Sequence, residues 1–554
     1  MNKKVCSFPI LFALLALLIG TCAVVFPASA QAAPTSTGSI TVSGNVARSY
    51  DAYQIFSANV VDGDGDAKIA TDLAWASDAV RDAALPVLHS AGMPNSQTTA
   101  QEAAEWLNTD SHLTSALSAQ LARSLQSSGA VSVALNAGTT AELPCGYWLI
   151  VADDDVIAQD EAGTAPIMAL VGGSAVTVKP KAATPKVSKH VLEDSTAAWQ
   201  KAADATVADD LYWRLSATVP AGLTAYDTYT VQFVDTMSAG LDPSKVVASV
   251  RVYVAASSDG GFDAVSAGKD GRTGTEPTKG WTDITAQCRV SVDGKTFTVR
   301  TGDLIAALGG ADAFTAGARV VAVYNAPLNS ACNHGIAKGN PNEVYLRYPR
   351  SPLADQSGDA GFTRTPSDDA CAYTWDLALT KRGSDGDKPL AGAVLSIADD
   401  RGRTLAADGT WDAEDKATVT TGEDGRVTVS GVDSGKLEVR ELKAPKGYTA
   451  FGGTRSVTVK AEGLDVDQVA AAKPKLTITA ESPLRADSAD GSTGSLEASL
   501  INTPTGTPPS ITTGGFMPST GDMAMYAAAA AAVAGAALIV VALLVKRGGG
   551  SHKE

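Results

Sequence analysis

Lysines, asparagines and acidic residues set near the ends of strand-like runs are the groups in this chain that could do covalent chemistry. A lysine amine is nucleophilic only when neutral, and apolar burial lowers its pKa by disfavouring the charge. The same burial raises the pKa of a carboxyl, so that a protonated acid can polarise an amide beside it. Lys381 follows the run Tyr373-Thr374-Trp375-Asp376-Leu377-Ala378-Leu379-Thr380, Glu441 sits in Leu437-Glu438-Val439-Arg440-Glu441, and Asn502 ends Leu500-Ile501-Asn502. Taken singly, residues of these types are mostly solvated surface groups. Other chemistries have less support. The five histidines are scattered and include no HExxH, the cysteine spacings match no zinc site, and no phosphate loop or Ser-His-Asp order stands out.

The elements that must position these residues are strands. Three segments follow one another. Residues 34–180 open with the alternating runs Ser39-Ile40-Thr41-Val42 and Tyr50-Asp51-Ala52-Tyr53-Gln54-Ile55-Phe56. A helical stretch follows, with Thr99 and Glu102 as a capping box and the pattern running through Leu125; strands return around Tyr147 and Val176. A Pro-interrupted linker, residues 179–185, leads to residues 185–352, rich in Val, Thr and Tyr with turns such as Asp293-Gly294. Residues 372–505 repeat that style, with turns at Asp408-Gly409 and Asp424-Gly425. Many short strands with regular turns predict an all-β chain of tandem antiparallel sandwiches, the first carrying a helical insertion.

Both ends read as processing signals. Lys3 and Lys4, an apolar run over 8–26 and Ala28-Ser29-Ala30 predict a cleaved signal peptide over residues 1–30. Residues 523–545 are apolar and long enough to cross about 30 Å of hydrocarbon as a transmembrane helix. Lys546, Arg547 and Lys553 in the tail 546–554 would hold that end in the cytoplasm. A Thr/Pro/Gly-rich stalk, residues 506–516, precedes the span. The net charge of −16 argues against nucleic-acid binding, which needs a basic surface. Cys145, Cys288, Cys332 and Cys371 remain after signal removal, with three disulfide pairings open, a Cys332–Cys371 bridge among them.

Met517-Pro518-Ser519-Thr520-Gly521, standing just before the apolar span and basic tail, resembles the LPxTG sorting signal of sortase substrates, with Met in place of Leu. The stretch from Leu437 through Glu441 to Ala444-Pro445-Lys446-Gly447-Tyr448 resembles the E-box of collagen-adhesin B-type pilin domains. The chain as a whole is similar to sortase-assembled, isopeptide-forming backbone fimbrial subunits of Gram-positive bacteria, the SpaA-like pilins. The resemblance implies immunoglobulin-like, collagen-adhesin-type sandwiches and an intramolecular Lys381–Asn502 isopeptide bond assisted by Glu441. In the middle segment, the strand ending Phe233-Val234-Asp235-Thr236 and the run Asn340-Pro341-Asn342-Glu343 look like the matching pilin motifs. They imply a Lys189–Asn342 bond with Asp235 as proton carrier, Asn340 being the alternative to Asn342. Val176-Thr177-Val178-Lys179-Pro180-Lys181 resembles the pilin motif ending in Tyr-Pro-Lys, which implies Lys181 as the amine that receives Thr520 of another subunit.

The implied function is that of a secreted, wall-anchored structural subunit of a covalent pilus supporting adhesion, without cofactor or metal. Its isopeptide step would occur once per molecule and is not enzymatic turnover. The implied partners are sortase, identical subunits and peptidoglycan or its lipid precursor, with minor pilins and a host receptor beyond them. A monomeric wall-anchored adhesin, or a minor pilin using the same domains as a stalk, is the alternative.

Overall fold

The computed structural model describes residues 36–44, 47–109, 111–181, 183–221, 223–257, 280–412 and 416–506. The expected signal peptide, sorting signal, membrane span and tail lie outside the described residues, as does the stalk apart from residue 506.

The first unit runs β1 (Thr37–Val42), β2 (Ser49–Asp62), β3 (Lys68–Trp75), α1 (Asp78–Ser90), α2 (Ala100–Asn108), α3 (Ser115–Ser128), β4 (Ser132–Asn136), β5 (Thr140–Pro144), β6 (Gly146–Ala152), β7 (Ile167–Val171) and β8 (Val176–Val178). One sheet has the order β5-β1-β8 and the other β3-β2-β6-β7, with β4 on β2. The helices form the expected insertion, and α2 starts on the Thr99/Glu102 capping box. There the Thr99 hydroxyl and the Glu102 carboxylate each take a backbone N–H that a helix start leaves unpaired. Buried Ala84, Leu88, Leu121 and Leu125 press the helices onto Phe56 and Leu149 of the sheet.

The second unit comprises β9 (Val187–Glu193), β10 (Ala198–Gln200), β11 (Ala202–Asp204), β12 (Tyr212–Thr218), β13 (Gln232–Met237), β14 (Arg251–Ala255), β15 (Trp281–Asp283), β16 (Arg289–Asp293), β17 (Thr296–Arg300), β18 (Arg319–Asn325), β19 (Asn340–Pro349), β20 (Phe362–Arg364) and β21 (Asp368–Tyr373). Its sheets have the orders β10-β9-β12-β18-β14-β15 and β11-β21-β19-β13-β17-β16, with β20 on β19. The second sheet therefore continues past residue 352 to Tyr373. Trp213, Phe233, Phe297 and Tyr324 lie in the core between the sheets.

The third unit comprises β22 (Trp375–Gly383), β23 (Val394–Ala398), β24 (Thr404–Leu405), β25 (Trp411–Asp412), β26 (Val419–Thr420), β27 (Arg426–Val432), β28 (Gly435–Lys443), β29 (Tyr448–Thr449), β30 (Thr454–Glu462), β31 (Lys475–Ala480), β32 (Leu484–Asp490) and β33 (Ser495–Pro504). Its first and last strands, β22 and β33, pair in parallel within the order β27-β22-β33-β29, and β28 lies in the other sheet.

Asp204 joins the second and third units. Its Oδ2 accepts from Trp375 Nε1 at 2.6 Å and from Ser434 N at 2.9 Å. Arg403 adds a two-pronged contact to Asp209, at 2.5 and 2.7 Å. Between the first two units, Tyr348 donates its hydroxyl to the Glu161 carbonyl at 3.1 Å.

Among the described residues, Cys145, Cys288, Cys332 and Cys371 are free. Cys371 lies on β21 and faces the core of the third unit, whereas Cys332 packs against the core of the second. The Cys332–Cys371 bridge left open above is not formed.

Candidate isopeptide centres

Strand alternation puts three polar side chains at the ends of three apolar rows in the third unit. Leu377, Leu379 and Lys381 point inward from β22, Leu496, Ala498, Leu500 and Asn502 from β33, and Leu437, Val439 and Glu441 from β28. Residues two apart share a face of a strand, so the apolar row that buries each strand also carries its last member inside. Gly425, at φ +73°, lets the chain close against the Lys381 backbone: Lys381 N donates to Gly425 O at 2.8 Å. A side chain there would strike Lys381 O and Leu390 N.

The side chains of Lys381 and Glu441 are fully enclosed, and Asn502 is buried. Lys381 Nζ touches Asn502 Oδ1, lies 3.3 Å from Leu500 O, and stands 3.4 Å from Glu441 Oε1. Asn502 Nδ2 donates to both Glu441 oxygens, at 2.9 and 3.1 Å, and Phe451 N donates to Oε2 at 3.0 Å. Burial lowers the Lys381 ammonium to about 8, with Glu441 pulling the other way. The amine thus meets the amide from one side while one carboxyl reaches both nitrogens.

The second unit builds its centre across the two sheets. Lys189 comes from β9 and Tyr324 from β18; Asp235 and Asn342 come from the paired strands β13 and β19 of the facing sheet. Lys189, Asp235 and Asn342 are each 0% exposed. Lys189 Nζ touches Asp235 Oδ2 and donates to Tyr324 Oη at 2.8 Å. Asn342 Nδ2 donates to the same Tyr324 oxygen at 2.8 Å, and the Tyr324 hydroxyl donates to Asp235 Oδ2 at 3.0 Å. Burial lowers Lys189 to about 8 against the pull of Asp235. Burial raises the Asp235 carboxyl, opposed by Lys189, Tyr324 and Asn342.

Between the two asparagines, geometry separates the roles. Asn340 is tied to backbone: its Oδ1 accepts from Asn333 N at 2.8 Å, and its Nδ2 donates to Asn333 O and Ala372 O at 2.9 and 3.2 Å. Asn342 is the amide that faces the Lys189 cluster, and its Oδ1 is buried with no hydrogen-bond partner. Lys181 stands apart from both centres. It is exposed in the linker after β8, with its carbonyl held by Thr164 Oγ1 at 3.0 Å. Met517, Pro518, Ser519, Thr520 and Gly521 lie outside the described residues.

Residues 376–473 match the family described as "SpaA: Prealbumin-like fold domain". The third unit carries a SpaA domain. Lys381 and Glu441 fall within the matched segment of that SpaA domain, and Asn502 follows it on the closing strand β33. The chain is also 30% identical over 143 residues to the Trypsin-resistant surface T6 protein of Streptococcus pyogenes serotype M6. That match spans 24% of each protein, so the chain spans about a quarter of that relative's length. Among solved structures, the T6 backbone pilin of serotype M6 Streptococcus pyogenes aligns with TM-score 0.46 at 16% identity, over 86% of this chain and 100% of that one. The full-length major pilin SpaD from Corynebacterium diphtheriae aligns with TM-score 0.40 at 16% identity, over 85% and 98%.

Tyr324 is the member of these centres that sequence reasoning missed. Its strand reads Arg-Val-Val-Ala-Val-Tyr-Asn, a continuous apolar run of the kind that fills a central strand. The available signal was the phenol itself, since a buried tyrosine hydroxyl usually needs a partner. Nothing in the strand names that partner.

Proposed function

We propose that this chain is the structural backbone subunit of a sortase-polymerised pilus on a Gram-positive cell wall, stapled internally by Lys381–Asn502 and Lys189–Asn342 isopeptide bonds. The observation that carries the reading is the enclosed Lys381–Asn502–Glu441 triangle. Burying an ammonium and a carboxylate costs several kcal/mol per ion, so a sandwich that needed only stability would be served as well by apolar residues. An amine that burial makes easier to deprotonate, against an amide carbonyl and with a carboxyl reaching both nitrogens, is instead an arrangement for acyl transfer.

In the third unit the neutral Lys381 Nζ attacks Asn502 Cγ. The Nζ–Cγ bond forms, the Cγ–Nδ2 bond breaks, and one proton moves from Nζ to the departing nitrogen, which leaves as ammonia. Glu441 is the carrier, since it takes the proton on one side and returns it on the other. The middle centre follows the same balance with Asp235. Each reaction happens once per molecule, so the chain is matured by it and is not an enzyme. Between molecules, a sortase thiolate takes the Thr520 acyl group with cleavage of the Thr520–Gly521 bond. The Lys181 amine of an identical subunit accepts it; at the base, a peptidoglycan amine or its lipid precursor does. Minor pilins and a host receptor complete the proposed partners, and no cofactor enters.

The test is a detergent gel of boiled cell-wall extract. A ladder of high-mass species that collapses to one band in Lys181→Ala supports the polymer. One band from the parent protein would make it a wall-anchored monomeric adhesin using the same domains as a stalk.

A further inference from the structure

Resting on the reading that Lys189 and Asn342 form an amide, we propose that Tyr324 is a catalytic residue of the middle centre, its hydroxyl relaying the proton between the two reacting nitrogens. A phenol has one hydrogen to give and two lone pairs to receive. At Tyr324 all three are used: Lys189 Nζ and Asn342 Nδ2 each donate to its oxygen at 2.8 Å, and the hydroxyl donates to Asp235 Oδ2 at 3.0 Å. The nitrogen that must lose a proton and the nitrogen that must gain one therefore meet at a single oxygen.

The two centres differ in which group takes the amide N–H. In the third unit Glu441 takes the Asn502 amide N–H on both its oxygens and also stands 3.4 Å from the Lys381 amine. Asp235 is one methylene shorter. Its Oδ2 touches the Lys189 amine, and although the Asn342 side chain also acts on the Asp235 carboxyl, the Asn342 Nδ2 hydrogen bond is made to Tyr324. With Lys189, Asp235 and Asn342 at 0% exposure, bulk water is poorly placed to carry the proton instead. The ring is held by an edge-on contact with Phe297, centroids 4.7 Å apart. Burial and the Asp235 charge both push the phenol ionisation well above its ordinary value, so the group works as a phenol and not as a phenolate.

The step balances. As the Nζ–Cγ bond forms and the Cγ–Nδ2 bond breaks, the leaving nitrogen gains a lone pair, and the Tyr324 hydroxyl turns from Asp235 Oδ2 to give its proton to Nδ2. It takes another from the acid form of Asp235, which is restored by a proton from Nζ. Ammonia leaves, and both Tyr324 and Asp235 end as they began.

Tyr324→Phe in the full mature chain keeps the ring and removes the relay. Crosslinked peptides are counted by mass spectrometry at intervals after synthesis, with the Lys381–Asn502 bond of the same molecule as an internal clock. The expected result is an unchanged Lys381–Asn502 rate and a Lys189–Asn342 rate at least tenfold lower, with native hydrogen-exchange protection of Val187–Glu193 and Asn340–Pro349. Equal rates in variant and parent overturn the relay. A second measurement keeps the hydroxyl in place: uniform 3-fluorotyrosine alters phenol acidity and, with hydrogen-exchange protection matching the parent, should change the ratio of the two rates severalfold. An unchanged ratio overturns the proposal independently. If the parent chain never forms the Lys189–Asn342 crosslink, the underlying bond assignment fails, which is a different result from equal rates.

Discussion

Lys381 is in register with Leu500, yet its amine reaches two residues further along the neighbouring parallel strand to touch Asn502 Oδ1. Side chains in a sheet lean along the strand direction. Here the lean sets amine against amide, and Glu441 closes the triangle from the opposite sheet.

The mass of the mature protein should report both reactions. Each bond expels one ammonia, about 17 Da. The chain freed of its leader and tail should therefore weigh about 34 Da less than its sequence. Glu441→Ala should recover one unit and Asp235→Ala the other, read by intact-mass spectrometry. A parent protein at full sequence mass would exclude both bonds.

Stability should depend on the third-unit staple. Lys381 and Asn502 are 121 residues apart. A crosslink closing a loop of that size limits the unfolded chain much as a disulfide does, by about 4–5 kcal/mol in the loop-entropy account. Asn502→Ala should lower unfolding free energy by roughly that amount in guanidinium titrations, with a matching loss after Asn342→Ala in the second unit.

Once uncrosslinked, the buried lysine should titrate. Burial lowers Lys381 to about 8 from 10.5. Between those values the unfolded chain binds a proton that the folded one does not, so stability rises with pH. Asn502→Ala should gain up to about 3 kcal/mol between pH 8 and 10.5. The parent, whose amine becomes an amide in the proposed bond, should show no gain from this group. A flat profile in the variant would remove the neutral-amine premise.

The contact between the second and third units should loosen with rising pH. Burial first, and then the neighbouring charge of Asp204, push Glu193 up to about 8 from 4.5; burial likewise raises Asp194 and Asp433. Raised carboxyls hold protons in the fold that the unfolded chain has released, so their contribution is lost as pH climbs from about 4.5 to 8. Calorimetry at pH 5 should show the two units melting together at a higher temperature than at pH 8. Asp204→Ala, which removes the acceptor of Trp375 Nε1 and Ser434 N, should separate the transitions at either pH.

Much of this was legible because period-2 patterning and turn residues are local. The alternating rows that end in Lys381, Glu441 and Asn502, the Asp424-Gly425 turn, and the Thr99/Glu102 capping box each depend on a few adjacent residues. What was not legible depends on distant strands meeting. The reach of the second sheet to Tyr373 follows from β21 pairing with β19, across a stretch containing Pro349, Pro352 and Pro366 that reads as a boundary. Asn340 and Asn342 share one face of one strand and differ only in what lies opposite: Asn333 for one, Tyr324 for the other. Tyr324 itself looks like core until Lys189 of its own sheet and Asp235 and Asn342 of the facing sheet supply its three contacts.

The parallel pairing of β22 with β33 has a mechanical corollary. With Lys381 joined to Asn502, a pull on the two ends of the unit would run from β22 straight into β33, and residues 382–501 would hang beside that route under no tension. A protease cut in an exposed turn such as Asp408-Gly409 would then leave the unit in one piece. Turns within that slack loop other than Asp424-Gly425, which closes against Lys381, would be free to vary in sequence and length without breaking that route.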